Sequence, residues 1–363
     1  MAPPGSLAWL FVVGLALLSA ACEHTTPLEY EPPEALPPAS DAIPRRLTFN
    51  PGDDRNPSVS GGVLAFSRFE LGDEVSVPGG FEIAERCIAM LPYEGGTISA
   101  RYCPSPFAVP EDSVVTWVEP VLSPDGARIA YVWQKSHLHD VRTPKRELRV
   151  APAESPEDIE VSWSALWTMP DGRRPTTVIK PSWLDANRLR FLTGLDSVFK
   201  VKDGGMARGT DTITVAYALV DLDLATLEAT VVPGAESAIA YAPAPDGGVW
   251  IVQRPDSTRL FHLPQGSATP QEIGSFSASV YDLANVDGVP VAGIAGAVVE
   301  ALDLATGASN TVGILGGRVM RVAAVSGTRR YVVEVEVATG TVTGPTGVPL
   351  SVGSANLWLL ELP

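Results

Sequence analysis

Pro120-Val121-Leu122-Ser123-Pro124-Asp125-Gly126-Ala127-Arg128-Ile129-Ala130-Tyr131 decides how this chain folds. An apolar run reaches a Pro-Asp-Gly turn, and a second run, Ala127 to Trp133, leaves it. Asp-Gly suits a tight hairpin because glycine takes positive φ without steric penalty and aspartate tolerates the same region. One hairpin would say little. Weaker copies of it recur along the chain, and the recurrence sets the architecture.

The copies are Pro57–Arg68, Pro181–Leu192, Ala242–Val252, Asp282–Ala292 and Val322–Val333, each an apolar strand, a polar turn and a second apolar strand. Their turns centre on Gly61, Gly126, Ala186, Gly247, Gly288 and Gly327. The spacing runs from about 65 residues at the start to about 39 at the end, against about 40 to 45 for a four-stranded propeller blade. The excess predicts insertions at Glu70–Gly80, His137–Lys145 and Lys202–Thr212, with a further long loop at Thr339–Ser354. Each unit continues with a strand like Tyr217–Asp223, then Ala225-Thr226-Leu227 and an outer strand; Val299–Gly307 repeats that pattern.

Ser-Pro-Asp-Gly before Ile-Ala-Tyr, with Asp-Leu-Ala-Thr-Gly downstream, resembles the WD-type repeats of TolB-like β-propellers. The resemblance covers residues 46–363 and implies an all-β, six-bladed propeller of four-stranded antiparallel blades. Asn356–Leu362 matches the third strand of a blade and then stops, while Arg46–Asn50 has the sequence type of the missing outer strand. The N-terminal strand is therefore expected to close the sixth blade, which removes two exposed sheet edges.

Ahead of the repeats, residues 7–21 form an apolar run of signal-peptide length. It ends in Leu18-Ser19-Ala20-Ala21-Cys22, which resembles a bacterial lipoprotein signal in which the cysteine becomes the lipidated N-terminus. Two features depart from that pattern: no Lys or Arg precedes the run, and Ser19 stands where Leu is commonest. The expectation is a signal peptide over 1–21 and lipidation at Cys22, with palmitate among the acyl chains. Glu23 rather than Asp follows, which implies sorting to the outer membrane of a bacterial cell envelope. Residues 22–45 carry Pro27, Pro32, Pro33, Pro37, Pro38 and Pro44, and read as an extended tether. Cys87 and Cys103 remain, and an even pair in an exported chain points to a disulfide. A loop at Glu94–Gly96 pairs Tyr93 with Thr97 and sets Cys87 opposite Cys103.

Net charge is −16, from 42 acidic and 26 basic residues, which argues against nucleic acid as a partner. There is no Gly-x-Ser-x-Gly nucleophile elbow. Nor is a hydrolase domain expected after the repeats, as in prolyl-oligopeptidase-like peptidases built on similar propellers. The α/β domain that precedes the propeller in TolB itself is not expected ahead of these repeats, where the Pro-rich tether stands. His137 and His139 could share a face on a strand, but they sit in what reads as a polar loop, and no metal site is expected. Asp221, Asp223 and Asp303 read as turn formers, and Trp117, Trp133, Trp163, Trp167, Trp183, Trp250 and Trp358 as packing between blades. The expected function is a non-catalytic, monomeric envelope lipoprotein without cofactor, presenting its propeller to an envelope protein or small ligand. The TolB resemblance implies peptidoglycan-associated or outer-membrane proteins as partners. The alternative is a propeller lyase or hydrolase working from channel or loop residues.

Overall fold

A computed structural model describes residues 43–49, 53–69, 86–104, 113–137, 140–164, 174–175, 177–203, 206–343 and 349–363. The expected signal peptide, Cys22, most of the tether, His139 and Trp167 lie outside these residues.

The described chain is built of strands. β1 (Arg45–Arg46) stands alone at the start. β2 (Asp53–Ser60), β3 (Val63–Phe69), β4 (Arg86–Pro92) and β5 (Ala100–Tyr102) form one antiparallel run. β6 (Ser113–Leu122), β7 (Arg128–His137), β8 (Asp140–Pro152) and β9 (Val161–Ser164) form the next. β10 (Arg174–Pro175), β11 (Ile179–Asp185), β12 (Arg188–Asp203), β13 (Met206–Asp223) and β14 (Ala229–Val231) make a five-stranded sheet. Two four-stranded meanders follow. The first is β15 (Ala238–Pro243), β16 (Val249–Gln253), β17 (Arg259–Leu263) and β18 (Gln271–Ser275). The second is β19 (Val280–Val286), β20 (Val289–Ile294), β21 (Val298–Leu302) and β22 (Ser309–Ile314). Last come β23 (Arg318–Ala324), β24 (Arg330–Thr343) and β25 (Pro349–Glu361).

This is an all-β, propeller-like fold of antiparallel sheets. The six hairpin turns join β2 to β3, β6 to β7, β11 to β12, β15 to β16, β19 to β20 and β23 to β24. Five carry a glycine at positive φ: Gly61, Gly126, Gly247, Gly288 and Gly327. In the opening stretch, Ser123 Oγ and the Ala127 N–H both bond the Asp125 carboxylate, so that side chain holds its own turn. Six separate four-stranded blades were expected, but among the described residues the sheets number five. One parallel pair, Arg86 with Thr116, joins β4 to β6 and merges the first two runs into an eight-stranded sheet.

β1 pairs with β25, Arg45 opposite Leu359 and Arg46 opposite Trp358, and the Leu47 N–H continues the ladder to Leu357 O at 2.7 Å. The strand begins at Arg45, one residue inside the expected tether. Leu47 and Thr48 behind it are fully buried.

Three of the insertions are not loops. β7–β8, β12–β13 and β24–β25 continue as paired ladders well past the body of their sheets, with β12–β13 paired from Arg188–Asp223 to Asp203–Met206. β-Branched residues such as Val198, Val201 and the alternating Thr210, Thr212 and Thr214 favour extended pairing over an irregular loop. His137 accordingly ends a strand instead of sitting in a loop. Each of the three starts from a strand that follows one of the six turns (β7, β12 or β24), so they leave the sheets at one common end.

The core lies between neighbouring sheets as a set of apolar clusters. Trp163 and Phe191 meet at a tilt between the β6–β9 run and the β10–β14 sheet, and Trp250 packs with Phe276 and Leu283 farther round. Leu47, Leu357 and Leu359 meet Leu64 and Phe66 where the last sheet abuts the first. Trp117, Trp163 and Trp250 are buried; Trp133, Trp183 and Trp358 are partly so. Cys87 and Cys103 are joined by a disulfide. It continues the β4–β5 register in which Ile88 faces Tyr102 and Met90 faces Ala100.

Candidate functional site

The innermost strands β2, β6, β11, β15, β19 and β23 neighbour one another round a common axis, with β15 reached through β12 and β13. In β2, β6 and β11 the ladder slips at an Xaa-Pro pair, namely Asn56-Pro57, Glu119-Pro120 and Lys180-Pro181. Proline offers no N–H to a ladder, so a bulge is where a strand accommodates it. The residue before each proline is held at positive φ, 56°, 54° and 51° respectively. For a non-glycine residue that conformation costs on the order of 1–3 kcal/mol, and it persists only where the surroundings impose it. Slips in β19 and β23 bring Asp282 and Arg321 to the same centre.

These side chains pair with one another. Arg321 Nη2 donates to Glu119 Oε1 at 2.6 Å, and Asn56 Nδ2 donates to the same oxygen at 3.1 Å. Glu119 Oε2 accepts the Lys180 backbone N–H at 3.0 Å. Lys180 Nζ donates to Asp282 Oδ1 at 2.7 Å, and Asp282 Oδ2 takes the Val322 N–H at 2.8 Å. Glu334 on β24 accepts the Asn56 N–H at 2.8 Å, and its other oxygen lies 3.6 Å from Arg55. Arg55 also binds Glu336 at 2.9 Å and Asp53 at 3.0 Å. The backbone strain is thus held by the network it aims: Asn56 gives its N–H to the buried Glu334 carboxylate and Lys180 to the partly buried Glu119. Tyr241 adds a brace, its hydroxyl donating to the Lys180 carbonyl.

Between Asn56, Ser58, Glu119, Lys180, Asp282 and Arg321 lies a cavity of about 30 Å³, room for roughly one water molecule. Burial would lower the Arg321 pKa, but Glu119, Asp282 and Glu334 outweigh it and raise the group above its ordinary value. Burial lowers Lys180, which Asp282 only partly offsets. Burial pushes Glu334 up to about 7, against the pull of Arg321, the Asn56 N–H and Arg55.

A carboxyl raised from its ordinary 4.5 to about 7 in the folded state binds its proton more tightly there than in the unfolded chain. The stability it allows is complete below about pH 4.5 and is lost as pH rises through about 7. The loss is of the order of 3 kcal/mol. Glu334→Gln should flatten that part of the profile in urea unfolding measured across this range. Parallel profiles for the two proteins would refute the assignment.

Other residues singled out from sequence sit apart from this centre. Asp221 forms a two-bond pair with Arg190, at 2.6 and 2.8 Å, while Asp223 and Asp303 accept turn N–H groups of Ala225, Thr226 and Ala305. His262 lies 3.0 Å from Asp246. Among the described residues no group of three His, Cys, Asp or Glu side chains is arranged to hold a metal ion. The axial network itself escaped the sequence reading. The signal was present: three of the aligned repeats begin at Pro57, Pro120 and Pro181, and a polar residue precedes each.

No protein-family model matches the sequence, and no curated protein matches it. Solved structures do. U3-55K aligns with a TM-score of 0.50 at 11% identity, over 88% of this chain and 98% of that one. The PQQ-bound aldose sugar dehydrogenase of Streptomyces coelicolor gives 0.48 at 13%, over 90% and 100%. TolB from Acinetobacter baumannii gives 0.38 at 15%, over 76% and 60%. At such identities a likeness speaks for fold alone, and below a TM-score of 0.5 it carries no argument, so the propeller-like fold rests on the sheet topology itself.

Proposed function

We propose that the chain is a six-bladed propeller, anchored by a lipid on Cys22 in a bacterial cell envelope, that binds an envelope protein or small ligand without transforming it. The six-blade count treats the eight-stranded sheet as two blades joined by a single parallel pair. It is supported by six apolar clusters among the described residues, one of them between β2–β5 and β6–β9.

One observation carries the binding reading. The charged groups that converge on the axis pair with one another, and the cavity among them, about 30 Å³, is smaller than an organic substrate. Rigid sheets carrying long hairpins on one end suit a platform, because recognition residues usually sit on projections from a fixed scaffold. A propeller enzyme remains the alternative, and Glu334 favours it, since a carboxyl near 7 has the pKa of a general acid or base.

In vivo crosslinking of the full chain, followed by purification and a substrate screen of the purified protein, separates the two. Defined crosslinked partners with no turnover are expected. Turnover that disappears in Glu334→Gln, with no partner recovered, would transfer the assignment to the enzyme. Cys22→Ala in the same cells should move the protein from the membrane to the soluble fraction. Its retention in the membrane would refute the anchor.

A further inference from the structure

The ladder between β23 and β24 ends at Arg318 opposite Glu336. β24 does not end there. It runs on from Val337 to Thr343, paired only with β25 among the described residues, down to Thr343 opposite Pro349. From 337 to 354 the sequence has no charged residue. Natural proteins blunt an unpaired strand edge with lysine, proline, a bulge or a cover, because a bare edge templates another strand. A two-stranded ribbon is also marginal by itself in water. Here the edge carries no charge, and a bulge between Ala338 and Gly340 is its sole irregularity.

The surface at the foot of the ribbon has the composition of a binding anchor. Tyr281 is 38% exposed, Val337 39% and Ile314 77%, among the few large apolar side chains left open to solvent. The Arg318 guanidinium lies 5.8 Å from the centre of the Tyr281 ring. Gly317 packs so closely on Glu336 and Val337 that a Cβ there would clash, which brings its neighbour Arg318 to the foot of the ribbon, with Ile314 three residues earlier in the chain. Exposed Tyr, Arg and aliphatic residues together are typical of interface hot spots. Arg318 is also under-compensated. Glu336 gives one oxygen to Arg55 at 2.9 Å, and its other oxygen stays 4.0 Å from Arg318, whose side chain is 58% exposed.

We propose that the free edge of β24 from Val337 to Thr343, with Tyr281, Ile314 and Arg318 at its base, receives an extended segment of a partner protein carrying an acidic side chain. The added strand satisfies the edge N–H and C=O groups, its apolar side chains cover Tyr281, Ile314 and Val337, and its carboxylate meets Arg318. This rests on the platform reading and names the site and the kind of partner.

The test pans a phage-displayed library of short random peptides against the full chain carrying Cys22→Ala. Enriched peptides should alternate β-branched residues and contain Asp or Glu. Their affinity should fall at least about tenfold for Arg318→Glu and recover when the peptide acid is changed to Lys. Val337→Lys, which places a charge at the edge, should cost a similar factor, as should methylation of alternate peptide amides. Both side chains are exposed, so neither variant threatens folding. Failure to enrich such peptides, or affinities unchanged in both variants, overturns the proposal. Binding of the wild type but not Arg318→Glu to anionic lipid vesicles, without peptide enrichment, overturns it in favour of a lipid surface. If partners are crosslinked equally by wild type and both variants, this site falls while the platform stands; if none is captured by any of them, the platform itself fails.

Discussion

Removing residues 23–49 should lower the melting temperature by at least roughly 6 °C, whereas removing only 23–42 should leave it almost unchanged. The longer deletion takes away Leu47 and Thr48, both fully buried, and the pairs of Arg45 with Leu359 and Arg46 with Trp358. It also strips Asn356 of the Arg46 guanidinium, 2.7 Å away, and the Leu357 N–H of the Thr48 hydroxyl, 3.0 Å away. Losing one buried leucine with its cavity costs about 3 kcal/mol, and the broken hydrogen bonds add about 1 kcal/mol more. At the unfolding entropy expected for a domain of this size, each kcal/mol is worth about 1.5 °C. Thermal melting of the two shortened proteins makes the comparison, and equal melting temperatures would mean that β1 does not close the ring.

A loss of comparable size is expected at the axis. Glu119→Ala leaves the largely buried Arg321 without its carboxylate, and it deprives the Asn56 amide and the Lys180 N–H of their acceptor. Stranding one member of a buried ion pair costs about 3–5 kcal/mol. The cost belongs to the unpaired charge more than to the pair. Glu119→Leu combined with Arg321→Met should therefore recover a large share of it, because an apolar pair of similar volume needs no partner. Denaturant unfolding of the single and double variants measures both. A Glu119→Ala protein within about 1 kcal/mol of wild type would show that the network does not bear on the axis.

How much of this was legible in the sequence depends on how local the cause is. The Pro-Asp-Gly turn at 124–126 is decided by its own residues, and it recurs where the repeats place it. Closure of the ring by the N-terminal strand was also readable, since a strand count one short at one end and one over at the other requires it. The hairpins β12–β13 and β24–β25 were misjudged as loops. Their Gly and Thr content suggests irregularity, but once the first pairs of a hairpin form, each further cross-strand pair adds at little cost. The parallel pair of Arg86 with Thr116 has no local cause at all, and with it the expected separation of the first two blades is lost. The axial network lay out of reach for a related reason. Asn56, Glu119, Lys180, Asp282, Arg321 and Glu334 come from six strands, and only the folded ring sets them together. What the sequence did carry was the placement of a polar residue before an aligned proline in three successive repeats.

The pairing of Leu47 with Leu357 spans 310 residues, the same separation as that between Arg46 and Asn356. Ribosomes add about 5–20 residues per second, so the first strand made waits roughly 15–60 s for its mate. Throughout that interval every completed hairpin belongs to an open arc with two raw ends. The ring can lock only after the final strand has emerged, and a chain stopped short of it stays open to proteases. Completion of synthesis is thus built into the fold as a condition of its survival.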